Sequence, residues 1–78
     1  MRNRTDLKKP TIADRRRCNN LLQIKDGTVL NLFDVLAEWA MAGLECTEEE
    51  LFNNYSDNDI QEIGIAVKEL ANVNPQNG

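Results

Sequence analysis

The sequence predicts a mostly α fold: three to four short helices in a helix-turn-helix-like arrangement, a β-hairpin around Asp26-Gly27, and a flexible basic N-terminal arm. Three observations carry this expectation. Apolar residues recur at helical spacing from Leu32 to Ala40 and again from Ile60 to Ala71, which places them on helix faces that can bury. Helix-starting residues stand just ahead of the helical stretches, at Thr11, Asn31, Thr47 and Ser56, where a side-chain oxygen can accept from an otherwise unpaired amide. The charges are also segregated. Seven of the nine Lys and Arg residues fall in the first 17 positions, whereas eleven of the thirteen Asp and Glu residues come later.

Residues 1–20 read as a basic arm, 21–73 as a small helical domain and 74–78 as a flexible tail. Pro10 has no amide hydrogen and disfavours helical angles at Lys9, so the first ten residues should be extended or disordered. From Thr11, with Asp14 three positions on, a short helix can run through Arg15, Arg16 and Arg17 towards Asn20, although its apolar spacing is poor. Leu21 to Ile24 and Val29 to Asn31 flank Asp26-Gly27, a pair suited to a tight hairpin turn because glycine has no Cβ to clash at positive φ. Asn31 then caps a helix from Leu32 to about Ala42, with Gly43 expected as its left-handed terminator. Leu32, Phe33, Val35, Leu36, Trp39 and Ala40 make this the central core helix, and Asp34 and Glu38 mark its wet strip. Thr47 and Glu50 form a capping box for a short helix presenting Leu51, Phe52 and Tyr55. Ser56 caps the last helix, about residues 57–72, whose stripe is Ile60, Ile63, Gly64, Val67, Leu70 and Ala71.

A chain of 78 residues makes one domain, burying only about 60–65% of its unfolded surface. No run reaches the roughly 20 apolar residues of a membrane span, and no signal peptide is evident, so the expectation is a cytoplasmic protein without a membrane partner. Cys18 and Cys46 read as reduced thiols. The absence of histidine rules out the usual Cys/His zinc sets and the His-dependent catalytic triads. The expectation is a non-enzyme, with no catalytic residue, metal or cofactor.

The candidate nucleic-acid-binding residues are Arg2, Arg4, Lys8, Lys9, Arg15, Arg16 and Arg17. Clustered cations displace counterions from a phosphate backbone, and arginine can grip phosphate with two parallel hydrogen bonds. The bland alternative is a solvated tail, or one that pairs with the chain's own acids. The candidate protein interface is Met41 and Ile65, each opposite its helix's apolar stripe, with Asp34, Glu38, Glu48 and Glu49 around them. For Glu48 and Glu49 the simpler role is to complement a helix dipole. Trp39, Phe52 and Tyr55 read as core.

From Gly27, the run Gly-Thr-Val-Leu-Asn-Leu-Phe-Asp-Val-Leu, then Ala42-Gly43-Leu44, Thr47-Glu48-Glu49-Glu50-Leu51 and Asp59-Ile60 resembles a group of small bacterial proteins linked to toxin-antitoxin operons. That group has a homeodomain-like helix-turn-helix with a hairpin leading into its first helix. The resemblance covers about residues 27–71 and implies a helix-turn-helix with a role in transcription or antitoxin control. The family's usual Arg after Gly-Thr is Val29 here, and residues 57–72 offer one Lys among four acids, a poor surface for reading base edges.

Together these readings give the expectation of a non-enzymatic transcription regulator of phage or mobile-element type. Its acidic body would dock on a host nucleic-acid machine such as RNA polymerase, and its arm would contact nucleic acid. The alternatives are a DNA-binding repressor or antitoxin, and a stoichiometric inhibitor of a host defence complex.

Overall fold

The computed structural model describes residues 1–72, so Val73 and the expected tail at 74–78 lie outside the described residues. The order is α1 (Ile12–Leu21), β1 (Ile24–Lys25), β2 (Thr28–Val29), α2 (Leu32–Leu44), α3 (Glu48–Asn54) and α4 (Asp57–Asn72). The fold is mostly helical with one small antiparallel hairpin.

Local chemistry sets most of these boundaries. Thr11 and Asp14 form a reciprocal capping box at the start of α1, and Thr47 and Glu50 form the same box at α3. Ser56 Oγ accepts from the amide of Asp59 at 3.2 Å to open α4. In the hairpin Ile24 pairs with Val29 and Lys25 with Thr28. The two-residue turn between them has positive φ at both Asp26 (53°) and Gly27 (79°), as a right-twisted hairpin requires.

Asn31 departs from its expected role. It precedes α2, but its side chain makes no capping bond there. Instead Asn31 Oδ1 accepts from the Gln23 amide at 3.0 Å and Nδ2 donates to the Leu21 carbonyl at 2.7 Å. It ties the base of the hairpin to the end of α1. Competition between local and distant partners for an amide side chain decides this.

Gly43 also differs from expectation. The left-handed residue that ends α2 is Glu45 (φ 55°, ψ 52°), whose amide donates to the Met41 carbonyl. Gly43 lies inside the helix, where a Cβ would run into Val67 Cγ2. Gly64 is its counterpart on α4: a Cβ there would strike the Leu36 carbonyl oxygen. These two glycines let α2 and α4 approach closely, and the two helices share the principal interface of the fold.

The core comprises Val35, Leu36, Ala37, Trp39, Ala40 and Leu44 of α2, Leu51 of α3, and Ile60, Ile63, Val67 and Ala71 of α4. Cys18 is the single buried residue of α1. Leu32 is exposed, and Phe33 and Leu70 are half-buried, so the apolar cover of both main helices is narrower than their sequence stripes.

The first ten residues fold back over the C-terminal end of α2, where the Lys8 amide donates to the Gly43 carbonyl at 2.8 Å and the Arg2 amide to the Leu44 carbonyl at 2.7 Å. Those carbonyls have no partner within the helix, so the segment serves as an external cap. Leu7 packs against the core and Pro10 is buried.

The two glycines should respond differently to substitution. Alanine gains roughly 0.5–1 kcal/mol over glycine in a helix, but forced overpacking costs about 1–3 kcal/mol. Gly64→Ala, opposed by backbone, is expected to destabilise by about 2 kcal/mol in equilibrium urea unfolding. Gly43→Ala is opposed by a side chain. Combined with Val67→Ala it should therefore lose less than the sum of the two single substitutions.

Candidate interaction surface

The seven cations proposed from sequence separate into two groups. Arg2 Nε donates to Glu45 Oε1 at 2.6 Å, and Lys8 Nζ lies 3.5 Å from Glu45 Oε2. Arg4 spans Asp59 and Glu62 of α4, each at 3.1 Å. Arg17 joins Asp14 and Glu38, each at 2.8 Å. Four of the seven are thus paired with the chain's own acids. Lys9, Arg15 and Arg16 are exposed and make no ion pair among the described residues.

Three of the carboxylates in these pairs are shifted. The Arg2 hydrogen bond, with Lys8 nearby, holds Glu45 below its ordinary value, and Arg4 does the same for Asp59. Asp14 is lowered chiefly by the Thr11 amide and then by Arg17. Each exposed pair contributes little alone. The fold-back is stabilised by their combination with two main-chain bonds and the packing of Leu7.

The candidate protein-interface residues are not gathered at one place. Met41, expected to be exposed, is half-buried against the core and lines a polar cleft of about 410 Å³ with Glu38, Lys8, Arg17 and Glu45. Lys8 of the N-terminal segment and Asp14 and Arg17 of α1 line the same cleft. Glu38 is held by Arg17. Ile65 is 49% exposed on α4, as its position opposite the stripe requires, and Asp34, Glu48 and Glu49 are exposed, but none of these four lines the Met41 cleft.

A different surface stands out. Ile12 (74% exposed), Leu21, Ile24 (62%), Leu30 (61%) and Leu32 are all carried by α1, the hairpin and the first residue of α2. The bonds of Asn31 to Leu21 and Gln23 hold these elements together. Ile12, Ala13, Arg16, Arg17, Asn20 and Leu21 line a largely apolar depression on α1. Isolated exposed apolar residues are ordinary, but five between Ile12 and Leu32, with unpaired Arg16 lining the same depression as Ile12 and Leu21, mark α1 and the hairpin as a candidate docking face. The sequence holds a signal for it. The apolar spacing of α1 is too poor to bury a whole stripe, so Cys18 alone enters the core while Ile12 and Leu21 stay exposed.

Phe52 is a second departure. Its spacing predicts a core position, yet it is 46% exposed and stacks on Phe33, with ring centroids 6.2 Å apart and planes 25° apart. Both cysteines are free. Burial pushes the Cys18 thiol up to about 11 and raises Cys46, so neither is an activated nucleophile. Among the described residues, no group of three or more His, Cys, Asp or Glu is placed to hold a metal ion, and no helix is long and apolar enough to cross a membrane. No protein-family model, curated protein or solved structure matches the chain.

Acid should loosen the N-terminal segment. Glu45 and Asp59 have folded pKa values below their unfolded ones, so their contribution is fully present above the ordinary carboxylate range of about pH 4–4.5 and is lost as pH falls through the folded values. Native-state hydrogen exchange, corrected for intrinsic rates, should show the Arg2 and Lys8 amides losing protection below about pH 4 before amides in the middle of α2 do. Simultaneous loss at all of them would contradict an acid-released segment.

Proposed function

We propose that the protein is a non-enzymatic transcription regulator that docks on a nucleic-acid machine such as RNA polymerase through the face formed by α1 and the hairpin. Lys9, Arg15 and Arg16 contact nucleic acid or an acidic channel beside the docking site. The observation that supports this reading is the sorting of the cations. Arg2, Arg4, Lys8 and Arg17 are occupied by the chain's own carboxylates, whereas Lys9, Arg15 and Arg16 of the same N-terminal stretch make no ion pair among the described residues, and Arg16 lines the apolar depression with Ile12 and Leu21.

The physical roles of the two components differ. Apolar side chains such as Ile12 and Leu21 gain from leaving water against a protein surface and offer nothing to a phosphate. Unpaired arginines attract phosphates or carboxylates over longer range and raise the rate of encounter. An acidic protein with a confined basic edge is repelled by nucleic acid except in the orientation that presents that edge. α4 is a weak candidate for reading bases, because Asp57, Asp59, Glu62 and Glu69 bracket its one lysine, Lys68. For this reason the repressor or antitoxin reading stands second.

Arg15→Ala with Arg16→Ala should reduce the slope of log affinity against log salt by about 2 if both residues neutralise duplex phosphate. The measurement is fluorescence anisotropy of the labelled protein on RNA polymerase bound to promoter DNA. Arg4→Ala should leave that slope unchanged. Ile12→Ser with Leu21→Ser should weaken binding at every salt concentration without altering the slope. An unchanged slope for the double arginine variant would remove the phosphate role. Tight, sequence-specific binding of the protein alone to DNA would favour the repressor reading.

A further inference from the structure

We propose that Phe33 of α2, Phe52 and Tyr55 of α3, and Asp57 at the start of α4 form an anchor site for an arginine side chain of a protein partner. These residues, with Ile60 as floor, line a concavity of about 270 Å³. That is room for one long side chain. The site lies outside the α1 surface, and either can fail without the other.

Three features select the occupant. Aromatic faces carry negative potential and attract cations within about 6 Å. A planar guanidinium can lie flat against a ring while its donors reach a carboxylate, which a compact ammonium does less well. Asp57 is exposed and has no cationic partner among the described residues, so its carboxylate is available.

The surroundings strengthen the choice. Glu48 and Glu49 precede Phe52 by four and three positions on α3, and Asp34 follows Phe33 on α2; all three are exposed and make no ion pair among the described residues. Together with Asp57 they make the local potential negative, which draws in a cation and turns away phosphate. Three of the carboxylates proposed from sequence as protein contacts, Asp34, Glu48 and Glu49, thereby lie within one helical turn along the chain of an aromatic member of the anchor.

The competing explanation is purely structural. The Phe33–Phe52 stack would fasten α3 to α2, and Asp57 would complement the dipole of α4. Fastening alone would favour burial of both rings, yet Phe52 remains 46% exposed. A half-covered aromatic beside an unpaired carboxylate is the arrangement expected of a recognition site.

The test titrates the full chain with acetyl-Gly-Arg-Gly-amide, with its citrulline counterpart as the uncharged control, and follows aromatic resonances by NMR. Shifts of Phe33, Phe52 and Tyr55 should saturate with the arginine peptide at concentrations on the order of millimolar, as befits one side chain. The citrulline peptide should not produce them. Asp57→Asn should weaken the response about five-fold, and Phe52→Leu should abolish it. Thermal unfolding checks both variants, and Asp57→Asn suffices should Phe52→Leu fail to fold. Equal response to citrulline, shifts centred on α1, or an unaltered response in Asp57→Asn would overturn the assignment. If the same ring shifts arise without peptide as protein concentration rises, and Arg15→Ala removes them, the occupant is a second copy of this chain and the proposal of a separate partner fails.

Discussion

The close approach of α2 and α4 governs the rest of the molecule. Gly43 and Gly64 leave out the two Cβ atoms that would hold the helices apart, and Val67 and the Leu36 carbonyl occupy the space. Close packing then buries Leu36, Leu44, Ile63 and Val67 almost completely. A chain this small has little apolar surface to spare, so the efficiency of one interface matters more than the number of elements around it. The remaining elements attach to this pair: α1 contributes Cys18, α3 contributes Leu51, and the N-terminal segment closes the end of α2.

That closure reorganises the electrostatics. The sequence divides into a basic front and an acidic remainder, which taken separately suggests two independent surfaces. Folding brings Arg2 and Lys8 to Glu45, Arg4 to Asp59 and Glu62, and Arg17 to Glu38. Much of the apparent polarity is thereby neutralised internally, at exposed sites where salt screens it and individual pairs are weak. Among the described residues Lys9, Arg15 and Arg16 of the N-terminal stretch stay unpaired, as do Asp34, Glu48, Glu49 and Asp57 of the acidic remainder.

Much of the fold is legible in the residue pattern. The capping boxes at Thr11 and Thr47, the turn at Asp26-Gly27 and the core stripe of α4 lie where the sequence places them. The candidate site is less legible. Met41 has the helical position of an exposed residue but is half-buried in a cleft that Lys8 and Arg17 also line, and Phe52 has the spacing of a core residue but sits at the rim. Gly43 has the composition of a helix terminator but serves as a packing residue, leaving Glu45 to take the left-handed conformation. In each instance the deciding neighbour is more than ten positions away along the chain.

The information carried by residue order is therefore local: helix starts, the hairpin turn, the apolar faces, and the separation of charge along the chain. These rest on interactions among residues within about four positions of one another, and residue type largely settles them. Which glycine packs, which cation stays unpaired and which aromatic remains exposed are settled only when the helices come together. Those outcomes depend on which distant surfaces meet, and a side chain's partner across the fold is set by the packing of α2 on α4, which local pattern does not encode.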